Sequence, residues 1–291
     1  MPIQPVRDEF VIADDITLHY VQWGTQGTPI ICTHGLTANA IYFQALAEDL
    51  AKDHRVIAYD LRGRGDSDKP EEGYSIPIYA ADLAALIDEL ALERPVVLGH
   101  SHGAFISLYF AAHYPTKLSK LILIDAGAPL PWKTFDEQPG WLKVSISRLG
   151  IPVPSFKEYT DRLKAAPFLG PYWNDYIDNY FKHDVITNDD GSVVSKVYRQ
   201  ALFEEAEHTN EARPEEQWEH VTVPTLLLRA GQGLLSDNDQ LLSENDAQNI
   251  QRNIQNCRYV NFPTLNHYTI GFCTEPGPAQ AIRSFVDEEH T

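Results

Sequence analysis

Short apolar runs separated by helix-length stretches constrain this chain more than any other feature. TPIICTHG (28–35), HRVIAYD (54–60), PVVLG (95–99) and LSKLILIDAG (118–127) are brief and close to continuously apolar. That is the signature of strands buried on both faces. Residues 17–23 alternate in a strand-like way. Between the runs, Leu83, Leu86, Ile87 and Leu90 recur at i, i+3, i+4 and i+7, the stripe of an amphipathic helix, and residues 38–50 and 104–113 also read as helical. Strands alternating with helices of this length pair in parallel through crossover connections. Right-handed crossovers then wind the chain into an α/β sheet with helices on both faces.

The rhythm stops between about Pro129 and Val221. This stretch has helical patterns and many large aromatics (Trp132, Trp141, Phe156, Phe168, Tyr172, Trp173, Tyr176, Tyr180, Phe181), with no apolar run to match the strands before it. The strand pattern returns at VPTLLLRAG (223–231) and CRYVNF (257–262), and a last helix is expected near residues 279–288. The expected organisation is therefore a core of residues 1–128 and 222–291, interrupted by a helical cap over 129–221.

Composition narrows the partners. A net charge of −18, from 23 basic and 41 acidic side chains, would repel nucleic acid and anionic membranes. Cys32, Cys257 and Cys273 form neither a disulfide framework nor a zinc spacing. The N-terminal residues show no secretory pattern, and no apolar run approaches the roughly 18 residues of a membrane span. A cytoplasmic protein without metal or cofactor is the expectation; oligomeric state is not legible.

The chemistry lies in Gly99-His100-Ser101-His102-Gly103, a G-x-S-x-G pattern set between a strand and a helix. A serine on so tight a turn needs glycines around it, because a Cβ at either flank would collide. The turn raises the hydroxyl above the sheet, and the helix N-terminus favours developing negative charge. Serine becomes a nucleophile when a base takes its proton and a carboxylate orients that base. Of the eleven histidines, His267 follows the last strand in PTLNHYTIG, at the sheet edge that holds Ser101. The acid is open among Asp237, Asp239 and Asp246 after the strand 223–231, and Asp125 at the end of LILID.

With these residues in hand, the chain resembles the α/β-hydrolase superfamily over nearly its whole length, closest to the capped branch of esterases, lactonases, epoxide hydrolases and haloalkane dehalogenases. THGL (33–36), DLRGRGDSDKP (60–70), GHSHG (99–103) and NHY (266–268) carry the resemblance. It implies a mostly parallel eight-stranded sheet with an inserted helical cap. It implies Ser101 as nucleophile and His267 as base, with the backbone N–H groups of Leu36 and His102 as oxyanion hole; His34 and His100 support loops. Epoxide hydrolases and haloalkane dehalogenases of this branch carry Asp at the elbow, so Ser101 argues against both activities. For the acid, the family's Asp-x-Leu-x-Ser/Pro spacing fits Asp239-Gln-Leu-Leu-Ser, although the usual window, 234–236, holds no carboxylate. Asp239 is therefore preferred, then Asp125, then Asp237.

The expected activity is hydrolysis of a carboxylic ester or lactone through an acyl-enzyme, on a small apolar or aromatic substrate. The same triad serves C–C bond hydrolysis of ring-cleavage products, and a ligand receptor can keep it without turnover. The His102 side chain either lines the pocket or contacts a polar part of the substrate.

Overall fold

The computed structural model describes residues 2–130, 132, 137–208, 213–272 and 275–288. Cys273 and His290 lie outside them. Strands β1 (Arg7–Ala13), β2 (Ile16–Trp23), β3 (Pro29–Thr33), β4 (Arg55–Tyr59), β5 (Val96–His100), β6 (Lys120–Ile124), β9 (Thr225–Ala230) and β10 (Cys257–Phe262) form one sheet in the order β1-β2-β4-β3-β5-β6-β9-β10. β1 and β2 run antiparallel to their neighbours, and the remaining pairings are parallel. β1 was not expected. Its sequence RDEFVIA opens on three charged residues, and as an edge strand it leaves Phe10 and Ile12 largely exposed, so it lacks the apolar run of a central strand.

Successive side chains of each strand supply opposite layers. Ile30 and Cys32 join one apolar cluster while Ile31 joins the other, and Leu226 and Leu228 alternate with Leu227 in the same way. Helices α2 (Ile76–Glu89), α3 (His102–His113) and α9 (Glu244–Asn253) cover one face; α1 (Gln44–Leu50) and α10 (Gly277–Asp287) cover the other. Helix α2 begins seven residues before its expected stripe, at Ile76 after Ser75, and includes Pro77 in its first turn, where the missing N–H costs nothing.

Between β6 and β9 the chain forms α4 (Gly140–Ser147), α5 (Phe156–Lys164), α6 (Asp175–Asp184), α7 (Arg199–His208) and α8 (Pro214–Gln217), and its described residues add no strand to the main sheet. It does hold a small hairpin, β7 (Val185–Thr187) with β8 (Val193–Ser195), whose three-residue strands are too short to read in the sequence. Among the described residues no helix is long and apolar enough to cross a membrane.

One buried ionic network ties the first strands to the loop after β4. His19 sits between Asp60 (Nδ1 to Oδ2, 2.7 Å) and Asp8 (Nε2 to Oδ1, 2.9 Å). Asp60 also accepts from the amides of Ala40 and Asp66. Burial opposes charge on both partners, yet their pairing wins: His19 is raised to about 9 and Asp60 lowered to about 2. His19, Asp60 and Asp66 lie close together, and the hydrogen bond between His19 and Asp60 joins two of them directly. Since the folded His19 value exceeds the unfolded one, its stabilisation is complete below pH 6.5 and disappears as pH rises through 9. The wild-type melting temperature should fall across that window, measured by calorimetry, while His19→Gln shows a flatter profile. Parallel profiles would remove His19 as the cause.

Candidate active site

Ser101 lies between β5 and α3 with no intervening residue. Its backbone is left-handed (φ 56°, ψ −121°), a conformation costing on the order of 1–3 kcal/mol that the surroundings must impose. They do so through backbone contacts. Ser101 N–H donates to Ile124 O at 3.0 Å, and Ser101 O accepts from Ala104 N–H at 2.9 Å. A Cβ on Gly99 would stand 2.2 Å from Gly103 O, and one on Gly103 would stand 1.9 Å from Thr33 O. The two motif glycines are thus demanded by helix-on-strand contact at backbone distance.

His267 meets Ser101 from the loop after β10. Its Nε2 is 3.0 Å from Ser101 Oγ, and its Nδ1 is 2.7 Å from Asp125 Oδ2. With the proton on Nδ1 donated to the carboxylate, Nε2 is left to accept from the serine hydroxyl. Asn266 shapes this loop: its Oδ1 accepts from the amides of Tyr268 and Thr269, and its Nδ2 donates to Phe168 O at 2.9 Å. His100, stacked on Tyr42, donates from Nε2 to His267 O at 2.9 Å. Burial, then the neighbouring His267, holds His100 well below its ordinary value, so it stays neutral. His34 is likewise lowered to about 4 by burial; it accepts from Leu61 N–H and donates to Gly35 O, bracing the loop before Leu36.

The acid beside His267 is Asp125, not Asp239. Asp125 caps β6 with φ 54°, its N–H bonded to Leu228 O and its Oδ1 accepting from Ala230 N–H at 2.9 Å. The carboxylate therefore occupies the place of the next carbonyl in the β6–β9 ladder and projects its second oxygen at the imidazole. Burial pushes the Asp125 carboxyl up, while His267 and the Ala230 N–H hold it back. Asp239 does different work. Its two oxygens accept from the amides of Leu234 and Leu235, at 2.7 and 2.8 Å, closing the loop after β9. Asp237 is exposed in that loop, and Asp246 sits in the first turn of α9 beside its cap Ser243. The family spacing matched a turn-capping aspartate, a role with the same sequence preference.

Leu36 and His102 border the same cavity as Ser101. His102 is the first residue of α3, where an amide has no intrahelical acceptor. Neither amide is bonded within the described residues. The cavity measures about 340 Å³. Of the nine aromatics marked in the inserted segment, Trp132 and Trp141 line it. The other seven pack into the core or against it, so the walls owe as much to Leu142, Ile146 and Leu202. Trp141 also stands 5.5 Å from the His267 ring. Two lining or near-lining groups escaped sequence reasoning, Arg64 and Glu205. The only signal was the second arginine of RGRG, which reads as a solvated loop residue until its burial is seen.

The sequence matches the family described as alpha/beta hydrolase fold over residues 28–271. It is 30% identical over 278 residues to a non-heme haloperoxidase of Rhodococcus erythropolis, covering 91% of this chain and 93% of that protein. A 2-(acetamidomethylene)succinate hydrolase of Mesorhizobium japonicum is 41% identical over 110 residues, 38% of this chain and 39% of that protein. Among solved structures, E-2-(acetamidomethylene)succinate hydrolase superposes with a TM-score of 0.83 at 25% identity, covering 97% of this chain and 99% of that one.

Proposed function

We propose, on the premise that the chain belongs to the α/β-hydrolase family, that it is a serine hydrolase cleaving a carboxylic ester or lactone through an acyl-enzyme. The observation that carries this reading is the continuous chain from Ser101 Oγ through His267 to Asp125. Ser101 Oγ attacks the carbonyl carbon as its proton passes to His267 Nε2. Asp125 stabilises the imidazolium through Nδ1. The tetrahedral oxyanion takes hydrogen bonds from the amides of Leu36 and His102, donors worth several kcal/mol in such a site. His267 then protonates the departing alkoxide, the acyl-enzyme remains, and water resolves it with His267 as base.

The inserted segment acts as a lid over the cavity. The cavity's size and the apolar part of its walls, Trp132, Trp141, Leu142 and Ile146, favour a small apolar acyl group, while Arg199, Arg213 and Glu215 add charge elsewhere in the lining. A fluorophosphonate probe should label Ser101 stoichiometrically, and p-nitrophenyl esters, lactones, an enamide and a ring-cleavage dienoate should then be compared for turnover. Labelling with turnover of esters or lactones is the expected result. Labelling without turnover of any compound would sink the enzymatic reading in favour of a ligand receptor, and no labelling would sink the nucleophile.

The similarity to a non-heme haloperoxidase favours a second reading of the same site. Hydrogen peroxide in place of water would resolve the acyl-enzyme of an organic acid to a peracid, with one water released as that acyl-enzyme forms. Peroxide-dependent bromination of a reporter that requires added acetate, and is lost on Ser101→Ala, tests it.

A further inference from the structure

Apart from the Ser101–His267–Asp125 chain, one cluster of buried charge reaches the same cavity. Arg64 is wholly buried and Glu205 is 7% exposed. Both Glu205 oxygens accept from Arg64 Nη2, at 2.7 and 2.6 Å. The Tyr79 hydroxyl joins them, accepting from Arg64 Nη1 at 2.7 Å and donating to Glu205. Arg64 turns its other donors on backbone carbonyls, Nη1 on Arg62 O at 3.2 Å and Nε on Leu36 O at 3.0 Å. Glu205 Oε1 lies 3.5 Å from His102 Nε2. The pair therefore touches Leu36 at one end and His102 at the other.

The contributors come from different parts of the chain. Arg64 belongs to the loop after β4, Tyr79 to α2, and Glu205 to α7 of the inserted segment. Helix α7 is fixed to the core beside this point, because Glu204 accepts from the amides of Gly73 and Tyr74 at 2.9 and 2.8 Å, and Tyr198 N–H donates to Gly63 O. Burying two opposite charges costs several kcal/mol per ion, and apolar groups of the same volume would hold the helix as well. A charged pair at this place needs a reason other than stability.

Its geometry supplies one. The Leu36 amide shares a peptide plane with Gly35 O, which accepts from Ala38 N–H and His34 Nδ1. The following peptide is held at Leu36 O by Arg64. Both planes flanking Leu36 are thereby fixed. On the other side, Glu205 bears on the His102 ring at the first position of α3. We propose that Arg64 and Glu205 are positioning residues for the oxyanion hole, so that the inserted segment sets donor geometry through α7 as well as covering the cavity. The proposal rests on the serine-hydrolase reading above.

Two variants test it, Glu205→Gln, which keeps the shape, and Arg64→Met with Glu205→Gln, which removes both charges together. Turnover is expressed per Ser101 titrated to completion with fluorophosphonate, and inhibition by an alkylboronic acid, a mimic of the tetrahedral adduct, is compared with inhibition by the product acid. The expected result is a kcat lower by roughly 10- to 100-fold with KM nearly unchanged. Boronate affinity should fall by a similar factor while product-acid binding holds. Unchanged kcat and boronate affinity per titrated site, with only a lower melting temperature, would overturn the proposal. Loss of folded protein in both variants would overturn it too, by assigning the pair to stability alone. A wild-type protein that the probe does not label is a separate outcome, and it removes the serine-hydrolase reading itself.

Discussion

Asp125→Asn is expected to lower kcat by roughly 10⁴-fold while leaving a folded protein. The wild-type carboxylate is flanked by two donors, the Ala230 N–H at Oδ1 and the His267 Nδ1–H at Oδ2. An amide has one acceptor and one donor end. Turned one way, its NH₂ faces the Ala230 N–H, and a buried donor is left unsatisfied at a cost of about 1–3 kcal/mol. Turned the other way, its NH₂ faces His267, which shifts the ring proton to Nε2 and removes the acceptor that Ser101 needs. The second orientation resolves the conflict in the fold by sacrificing the chemistry. Asp239→Asn gives the opposite pattern, since it weakens a loop closed by two hydrogen bonds from the Leu234 and Leu235 amides and touches neither His267 nor Ser101. Steady-state kinetics on an activated ester, with melting temperatures alongside, distinguishes the two. A collapse of kcat in Asp239→Asn with normal turnover in Asp125→Asn would reverse the assignment.

Gly103→Ala is expected to cost the fold on the order of 3 kcal/mol and to abolish labelling of Ser101 in whatever protein remains folded. The added methyl would meet Thr33 O at 1.9 Å and His34 O at 2.7 Å. Neither oxygen is the end of a flexible side chain. Both belong to the β3 backbone and the loop that follows, and β3 is held between β4 and β5. Relief must come from pushing α3 away from the sheet, which moves Ser101 and the His102 amide together. Gly140→Ala is the matched control: only a Leu235 methyl lies nearby, at 3.3 Å, and stability should stay about level. Denaturant unfolding of the two variants, with probe labelling of each, checks the contrast. Wild-type stability in Gly103→Ala would refute the tight-contact account of the elbow.

Much of this architecture was legible because central strands of a parallel sheet are apolar throughout, and β3, β4, β5, β6 and β9 all read that way. The elbow was legible because its glycines and serine fall between two elements already assigned. His267 followed from chain order along one sheet edge. The acid did not, since the sequence cannot say that the end of β6 and the loop after β10 converge, and the family spacing favoured Asp239 over Asp125 and Asp237. Asp239 satisfied that spacing as a loop closer. The edge strand β1 was missed because a strand open to solvent on most of its surface has no reason to be apolar. Arg64 and Glu205 are separated by 141 residues, and only folding makes them a pair.

Strands β6 and β9 pair directly, Leu121 with Thr225 through Ile124 with Leu228. The sheet is therefore already complete without the long excursion that the chain makes between them. Loop closure grows only logarithmically with length, about 0.6 kcal/mol for each doubling, so this excursion can lengthen or shorten at little cost in closure entropy, provided that its core-packing residues such as Leu149, Phe168 and Phe181 keep their places. One limit on its exchange is ionic. Arg64 is held in the core by Leu36 O, Arg62 O and the Tyr79 hydroxyl, and any replacement that fails to bring a carboxylate to it leaves a fully buried cation without a counter-charge. A graft from another hydrolase would have to supply that carboxylate, together with the anchors that Glu204 makes to Gly73 and Tyr74, before its fit to any substrate mattered.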